Sequence, residues 1–276
     1  MAANTLQPQS YEEFRRFLET SCGLVLGENK HYLVTSRLSR LMAEYSVASV
    51  DELLSLLKAG TRRGLRERVI EAMTTNETSW FRDIFPYEIL ANTILPDLAK
   101  RGTGPLRIWS AASSSGQEAY SISMSVSEFM MSRPGMLTRD VQIVGTDISS
   151  AILKEAREGI YDDLAIVRGL SQERKSRFFT RKGDKWQVKP EVSRRTTFRE
   201  FNLLDSYALL GRFDVVFCRN VLIYFSAEAK KEITTRIAQA LNSGGYLFLG
   251  ASESMAHYAD HFEMIRCNPG VVYRKR

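Results

Sequence analysis

The stretch IWSAASSSGQEAYSI, residues 108–122, decides how the chain is read. An apolar strand centred on Ile108 and Trp109 runs into small residues from Ala111 to Gly116, and a helix then opens near Gln117. In doubly wound sheets, ligands bind outside the carboxyl ends of the strands, beside such a loop. Small side chains let a ligand come close to the backbone. A dinucleotide site would normally show GxGxxG, with a helix N-terminus aimed at a pyrophosphate. Here Gly116 is the one glycine in the loop, so a pyrophosphate is a poor candidate. A nucleoside without phosphates needs less of that open amide cradle.

Outward from this loop, strands and helices alternate. The pattern predicts strands at 106–112, 141–146, 213–218, 245–250 and 271–275, with helices at 117–131, 149–157 and 227–241. Such alternation means an α/β fold with a mainly parallel, doubly wound sheet. A further strand is expected at 196–202. Trp186, Val188 and Val192, flanked by turn residues, predict a small antiparallel ribbon inserted at about 181–200. Residues 1–75 read as a separate helical domain. Ser10 and Glu13 form a capping box, as do Ser49 and Glu52. Gly23 and Gly60 are C-caps, and Leu38, Leu41, Met42 and Tyr45 form the apolar stripe of a helix over 29–45. A last helix is expected at about 62–73. A linker, 76–105, follows: NETSWFRD (76–83) has no clean period, Pro86 opens a helix to about Lys100, and RGTGP (101–105) is a turn cluster. The second domain then runs to residue 276.

At 44% hydrophobic and 25% charged, the 276-residue chain has the balance of a globular protein. No run reaches the length of a membrane span, and MAANTLQPQS lacks the features of a secretion signal. Three scattered cysteines suit a reducing compartment and no disulfide framework, so a cytoplasmic location is expected. The formal charge of +6 is local: residues 168–199 hold eleven Lys and Arg against three Asp and Glu. A basic run of this kind can meet nucleic acid, an anionic membrane or an acidic protein, and is as often a solvated face.

At the strand ends, Asp147 stands where such sheets present a carboxylate to ribose hydroxyls, or where a plain helix cap would serve. Asn202 can reach an adenine edge, or close a turn. Glu118 opens the helix after the small-residue loop, and the strand FDVVFC ends in Arg219 and Asn220. A phosphate-free adenosine with a charged tail is S-adenosylmethionine. Its tail carries a carboxylate and an ammonium, and Arg82 and Glu118 are the natural pair for those charges.

NETSWFR (76–82), IWSAASSSGQEAYSI (108–122), GTDIS (145–149), FNLLD (201–205) and FDVVFCRNVLIYF (213–225) together resemble the CheR family of bacterial chemotaxis receptor methyltransferases. The resemblance covers nearly the whole chain. It implies a Rossmann-like domain, preceded by an all-α receptor-docking domain, that esterifies glutamate side chains on chemoreceptor cytoplasmic helices and releases S-adenosylhomocysteine. Carried onto this sequence, the cofactor contacts would be Asn76, Thr78, Arg82, Glu118, Asp147, Asn202, Leu203, Arg219 and Asn220. Arg82 and Tyr224 would stand nearest the transferred methyl, and the helix bearing Arg37 and Arg40 would meet acidic receptor helices. The loop departs from the family pattern, with Gln117 and Ala119 where Glu and Pro are usual. The turn RKGDKW (181–186) is short and lacks a glycine-rich form, which argues against tethering a receptor pentapeptide.

Other readings are weaker. A nucleic-acid methyltransferase could use the 168–199 run, but the chain has RNVLIYF (219–225) in place of the Asn/Asp-Pro-Pro-Tyr usual in amine-directed enzymes. A non-enzymatic adaptor is kept open by the altered loop. His257 and His261 are four apart, yet only Asp260 offers a third ligand, so no metal is expected; His31 reads as a surface residue. Nothing in the sequence demands more than a monomer, and no nucleic acid or membrane insertion is expected. A regulatory adaptor protein is compatible with the reading.

Overall fold

A computed structural model describes residues 6–255 and 259–276. The chain divides into two compact units. One comprises residues up to Thr75 with Tyr224–Ala229; the other comprises Asn76–Ile223 and Lys230–Arg276.

The first unit is helical: α1 (Pro8–Cys22), α2 (His31–Glu44), α3 (Val50–Ala59) and α4 (Leu65–Met73). Phe14, Leu18, Val34, Leu38, Leu53 and Val69 are fully buried and make its core. The expected cap at Ser10 is not used. Gln7 is the cap residue, and Pro8, whose φ is already helical, begins the helix ahead of Ser10. The Ser49 cap forms as predicted, with Ser49 Oγ accepting from the Glu52 amide, while the Glu52 carboxylate reaches past the cap residue to accept from the Ala48 amide. Arg37 donates to the carbonyls of Met73 and Thr74 and to Thr75 Oγ1, so its guanidinium closes the C-terminus of α4.

The second unit opens with α5 (Phe85–Ile89), a π-turn (Leu90–Ile94) and α6 (Leu95–Ala99). The sequence suggests one continuous helix here. Pro96 explains the interruption: its ring would clash with the carbonyl four residues back, and widening the preceding turn relieves it. Then follow β1 (Leu106–Ala111), α7 (Gln117–Ser132), β2 (Val141–Asp147), α8 (Ser150–Glu158), β3 (Ile160–Tyr161), α9 (Asp163–Val167), α10 (Gln172–Phe178), β4 (Phe179–Lys182), β5 (Lys185–Val188), α11 (Pro190–Ser193), β6 (Thr196–Glu200), β7 (Phe213–Cys218), α12 (Ala227–Ala240), β8 (Leu241–Leu249), β9 (Phe262–Arg266) and β10 (Val271–Lys275).

The main sheet has the order β6-β2-β1-β7-β8-β10-β9. The first five strands run parallel, and β10 pairs antiparallel with both β8 and β9. β1 and β7 are almost wholly buried, as strands covered on both faces must be. The register lines up the carboxyl ends: Ala111 lies opposite Thr146 and Cys218, Cys218 opposite Leu249, and Asp147 opposite Glu200. Each strand therefore releases its next residues at one level of one sheet edge. The chain reverses direction of winding between β1 and β7, which is where a ligand crevice forms.

The small sheet differs from the expected ribbon. It is three-stranded, β3-β5-β4, and ends at Val188. Pro190 starts α11, which carries Val192, and Thr196–Glu200 joins the main sheet beside β2. The side-chain alternation of 186, 188 and 192 carried no information about that proline-directed turn.

The segment before α5 is pinned to the α9–α10 loop. The Trp80 amide donates to the Arg168 carbonyl at 3.0 Å, and its indole N–H to the Ala165 carbonyl at 3.0 Å. Gly169 makes this approach possible, having φ +95° and room for no side chain: an added Cβ would sit 2.1 Å from the Trp80 carbonyl oxygen. Gly169→Ala should therefore destabilise the protein by about 2–3 kcal/mol, since strain and a backbone clash combine. Gly183→Ala is the control, because φ is also positive (+63°) but nothing lies within 4 Å. It should lose only about 1 kcal/mol in urea unfolding.

Candidate active site

The loop after β1 is closed on itself. The Ser113 amide donates to the Thr146 carbonyl at 2.7 Å, the Ser114 amide to Asp147 Oδ2 at 2.8 Å, and the Gly116 amide to the Ser113 carbonyl at 3.0 Å. Ala112 and Ser114 adopt left-handed φ of 61° and 50° to make these bonds. Asp147 also accepts from the Ser149 amide at 3.1 Å through Oδ1. Its carboxylate thus joins the β1 loop to the β2 loop, and a carboxylate oxygen can accept more than one hydrogen bond. The Ser113, Ser114 and Gly116 amides are thus committed, two of them to β2, which leaves fewer donors for a pyrophosphate and fits a phosphate-free ligand. Ser114 Oγ donates to the Asn76 carbonyl at 2.7 Å, bringing the 76–82 segment against the same loop.

At the winding switch stands Arg219, the residue after β7, with its side chain 1% exposed. It donates to Glu118 Oε2 at 3.1 Å, Asp83 Oδ2 at 2.7 Å and the Arg82 carbonyl at 2.8 Å; the Tyr87 hydroxyl lies 3.5 Å away. Its Nε is buried without a partner among the described residues, as is Ser113 Oγ. Glu118 Oε1 accepts from Ser110 Oγ at 2.8 Å. Burial raises the pKa of Glu118; Arg219 and Ser110 pull it down, and burial prevails. Burial alone would lower the pKa of Arg219. Tyr87, Glu118 and Asp83 outweigh that, and the guanidinium stays firmly charged. Burial, then the neighbouring Glu118 charge, pushes the Tyr87 phenol well above its usual range.

The segment that brings Asp83 to Arg219 is strained. Phe81, Asp83 and Ile84 have φ of 47°, 66° and 57°. Left-handed backbone is costly at such residues, most of all at a β-branched one. Asn220 shares the conformation at φ 57°. Its amide donates to Glu253 Oε2 at 2.8 Å, which also accepts from the Gly250 amide at 2.7 Å, while Oε1 accepts from Ile223 at 3.3 Å. Non-glycine left-handed residues thus gather at this edge, as they do at functional sites.

Of the residues singled out in the sequence, Asn76 and Asp147 join the β1 loop, Glu118 bonds Arg219, and Asn220 bonds Glu253. Arg82 and Glu118, matched in the sequence to the two charges of the cofactor tail, have separate protein partners. Arg219 takes Glu118, and Arg82 donates weakly to the Glu77 carbonyl at 3.3 Å. Asn202 lies beyond β6, where its Oδ1 accepts from the Leu204 amide at 3.0 Å in a turn, and Leu203 is buried. Thr78 is half-buried. Tyr224 groups with the helical unit, where its carbonyl accepts from the Val25 amide at 2.8 Å. Arg37 and Arg40 have different partners. Arg37 is committed to the end of α4, and Arg40, 92% exposed, lies 3.4 Å from Glu44.

Sequence reasoning missed Asp83, Glu253 and Tyr87. Asp83 and Glu253 carried a signal: one directly follows Arg82, and the other lies just beyond β8 at the edge that singled out Asp147. Tyr87 sits on a helix with none. Among the described residues no cluster of His, Cys, Asp and Glu could hold a metal, and no helix is long and apolar enough to cross a membrane. His257 lies outside the described residues.

Comparison with known proteins agrees with this geometry. Residues 76–271 match the CheR methyltransferase SAM binding domain, and residues 9–74 match the CheR methyltransferase all-alpha domain. The chain is 55% identical over 268 residues to chemotaxis protein methyltransferase Cher2 of Pseudomonas putida, covering 96% of this chain and 98% of that one. It is 55% identical to chemotaxis protein methyltransferase 1 of Pseudomonas aeruginosa, over 96% and 97% of the two chains. With the chemotaxis protein methyltransferase of Vibrio parahaemolyticus it shares 52% identity over 275 residues, 99% of each. The protein is an enzyme, a methyltransferase dependent on S-adenosylmethionine. It belongs to the CheR methyltransferase family, whose members among these relatives act in chemotaxis.

Arg219→Met should destabilise the second unit by about 3 kcal/mol, because Glu118 and Asp83 lose their shared cation. Arg219 lowers the Glu118 pKa, so without it Glu118 takes up a proton in the folded state still more readily than in the wild type, and acidification favours the folded variant more. The deficit should therefore be smaller at pH 5 than at pH 8 in urea unfolding.

Proposed function

We propose that this chemotaxis methyltransferase transfers the methyl group to glutamate side-chain carboxylates on chemoreceptor cytoplasmic helices, forming methyl esters. The observation that supports the carboxylate most directly is the state of the acids around the crevice. Glu118 and Asp83 hold Arg219, Asp147 holds two amides, Glu253 holds three, and the Tyr87 phenol is pushed up. Their commitments suit a nucleophile that arrives ionised. A glutamate, with an ordinary pKa of about 4.3, does so near neutral pH.

When bound, S-adenosylmethionine supplies a methyl group made electrophilic by a sulfonium. In this reading Asp147 accepts from the ribose, and Asn202 and Leu203 border the base. Glu118 and Asp83 face the amino-acid tail, while Arg219 holds both carboxylates in place. Asn76, Thr78 and Asn220 complete the binding edge. Arg82, whose guanidinium has a single weak bond among the described residues, to the Glu77 carbonyl, orients the incoming carboxylate. A tight bidentate grip would stabilise the ground state and slow transfer, so loose holding is an advantage. Tyr224 offers one hydroxyl donor. Charge disappears as carboxylate and sulfonium neutralise each other, so excluding water favours the reaction.

Docking is assigned to Arg40 with the exposed Arg62 and Arg63, while Arg37 supports them by fixing α4. Five of the eleven cations in the 168–199 run have carboxylate partners, which weakens the nucleic-acid alternative. Arg168 pairs with Glu77, Arg174 with Glu128, Arg177 with Glu173, and both Lys175 and Arg181 with Asp163.

Incubation with methyl-labelled S-adenosylmethionine and a chemoreceptor cytoplasmic fragment should give label that leaves as methanol at high pH. Label stable to base would point to nitrogen or carbon methylation and overturn the ester. Asp147→Ala should weaken cofactor binding in calorimetry by about tenfold or more, in keeping with the loss of a charged hydrogen-bond acceptor. Tyr224→Phe should instead lower kcat and leave that affinity nearly unchanged.

A further inference from the structure

We propose that Arg174, on α10, is a positioning residue for methyl transfer: held flat by Glu128, it fixes the ring of Phe81 and thereby the left-handed segment that presents Arg82 and Asp83. Its Nε and one terminal nitrogen donate to the two oxygens of Glu128 at 2.8 and 2.9 Å. A bidentate pair of this kind fixes the guanidinium plane as well as its place. The guanidinium carbon lies 3.6 Å from the centroid of the Phe81 ring, at van der Waals contact.

Phe81 is the first left-handed residue of the segment, with Asp83 and Ile84 following. Such backbone persists only where its surroundings over-determine it. Three contacts meet on Phe81. Its amide donates to Ser121 Oγ at 3.1 Å, its ring packs against Tyr87 at 5.0 Å between centroids, and Arg174 lies over the ring. At the segment's other side Arg219 takes the Arg82 carbonyl and the Asp83 carboxylate. The anchors on α7 share an origin. Glu118, Ser121 and Glu128 are three and seven residues apart, spacings that bring side chains to one side of a helix. Glu118 holds Arg219, Ser121 holds the Phe81 amide, and Glu128 holds Arg174, so one helix face sets the segment at three points.

This inference rests on the proposed role of Arg82, and the test separates the two. Amide hydrogen exchange of the full-length protein without cofactor should show faster exchange in the peptide covering 80–84 for Arg174→Met and Glu128→Gln. Exchange in β1 and β7 should be unchanged. Wild-type exchange at 80–84 in both variants would overturn the proposal whatever the substrate proves to be. With a receptor fragment, well below the melting temperature, Arg174→Met should lower kcat about tenfold while KM for the cofactor moves less than about threefold. Arg174→Lys, which keeps the charge but not the flat bidentate pair, should recover only part of that loss. In an Arg82→Ala background, Arg174→Met should have little further effect on kcat, because it acts through Arg82. If the two losses multiply, Arg174 is merely structural and the proposal falls. Absence of any transfer by the wild type would sink the receptor reading and leave the exchange result to decide the clamp.

Discussion

The buried charge of Arg219 is the constraint on which the site depends. A guanidinium taken from water is tolerable only with close anionic partners and well-formed hydrogen bonds. Glu118 and Asp83 supply the charge, and the Arg82 carbonyl adds a further acceptor. Those partners come from different places: Glu118 from the start of α7, Asp83 from the strained segment before α5, and Arg219 from the end of β7. Satisfying one ion therefore draws three separate stretches to the winding switch. The register of β1 and β7, with Ala111 opposite Cys218, sets the height at which they meet.

The ion also accounts for the strain beside it. Asp83 reaches Arg219 because residues 81, 83 and 84 adopt left-handed backbone. Local preference opposes that shape, so tertiary contacts must hold it. The Trp80 anchors to the α9–α10 loop and the Ser121 bond to the Phe81 amide do so from outside the ion pair. The closed β1 loop is held in a similar way, through Asp147. Two rigid loops and one held segment thus frame the crevice.

The α/β alternation was legible because parallel strands covered on both faces read as apolar runs between turn signals. The bounds of β7 and β10 follow from the sequence residue for residue. What local pattern could not show was interaction at a distance. Glu118 and Asp83 are separated from Arg219 by 101 and 136 residues, and nothing near Arg219 says that it would claim either of them. Arg37 and Arg40 share a helical spacing, but only packing reveals that one of them closes α4. The ribbon was misplaced for the opposite reason. Pro190 is a local signal, and it outweighed the apparent alternation of Trp186, Val188 and Val192. Asp147 had two readings in the sequence, cap and ribose acceptor; Ser149 is the residue that caps α8, and the bonds Asp147 accepts from the Ser114 and Ser149 amides do not oppose the second reading.

The β1 loop's internal bonding has a consequence for the competitors a cell presents. Adenine nucleotides share their base and sugar with S-adenosylmethionine and are far more abundant than most cofactors. A loop whose amides already face Thr146, Asp147 and Ser113 offers a triphosphate no cradle, and Asp83, Glu118, Asp147 and Glu253 meet it with like charge. Discrimination against ATP then requires no residue of its own. The same hydrogen bonds that hold the loop thus favour a ligand without phosphates over a triphosphate.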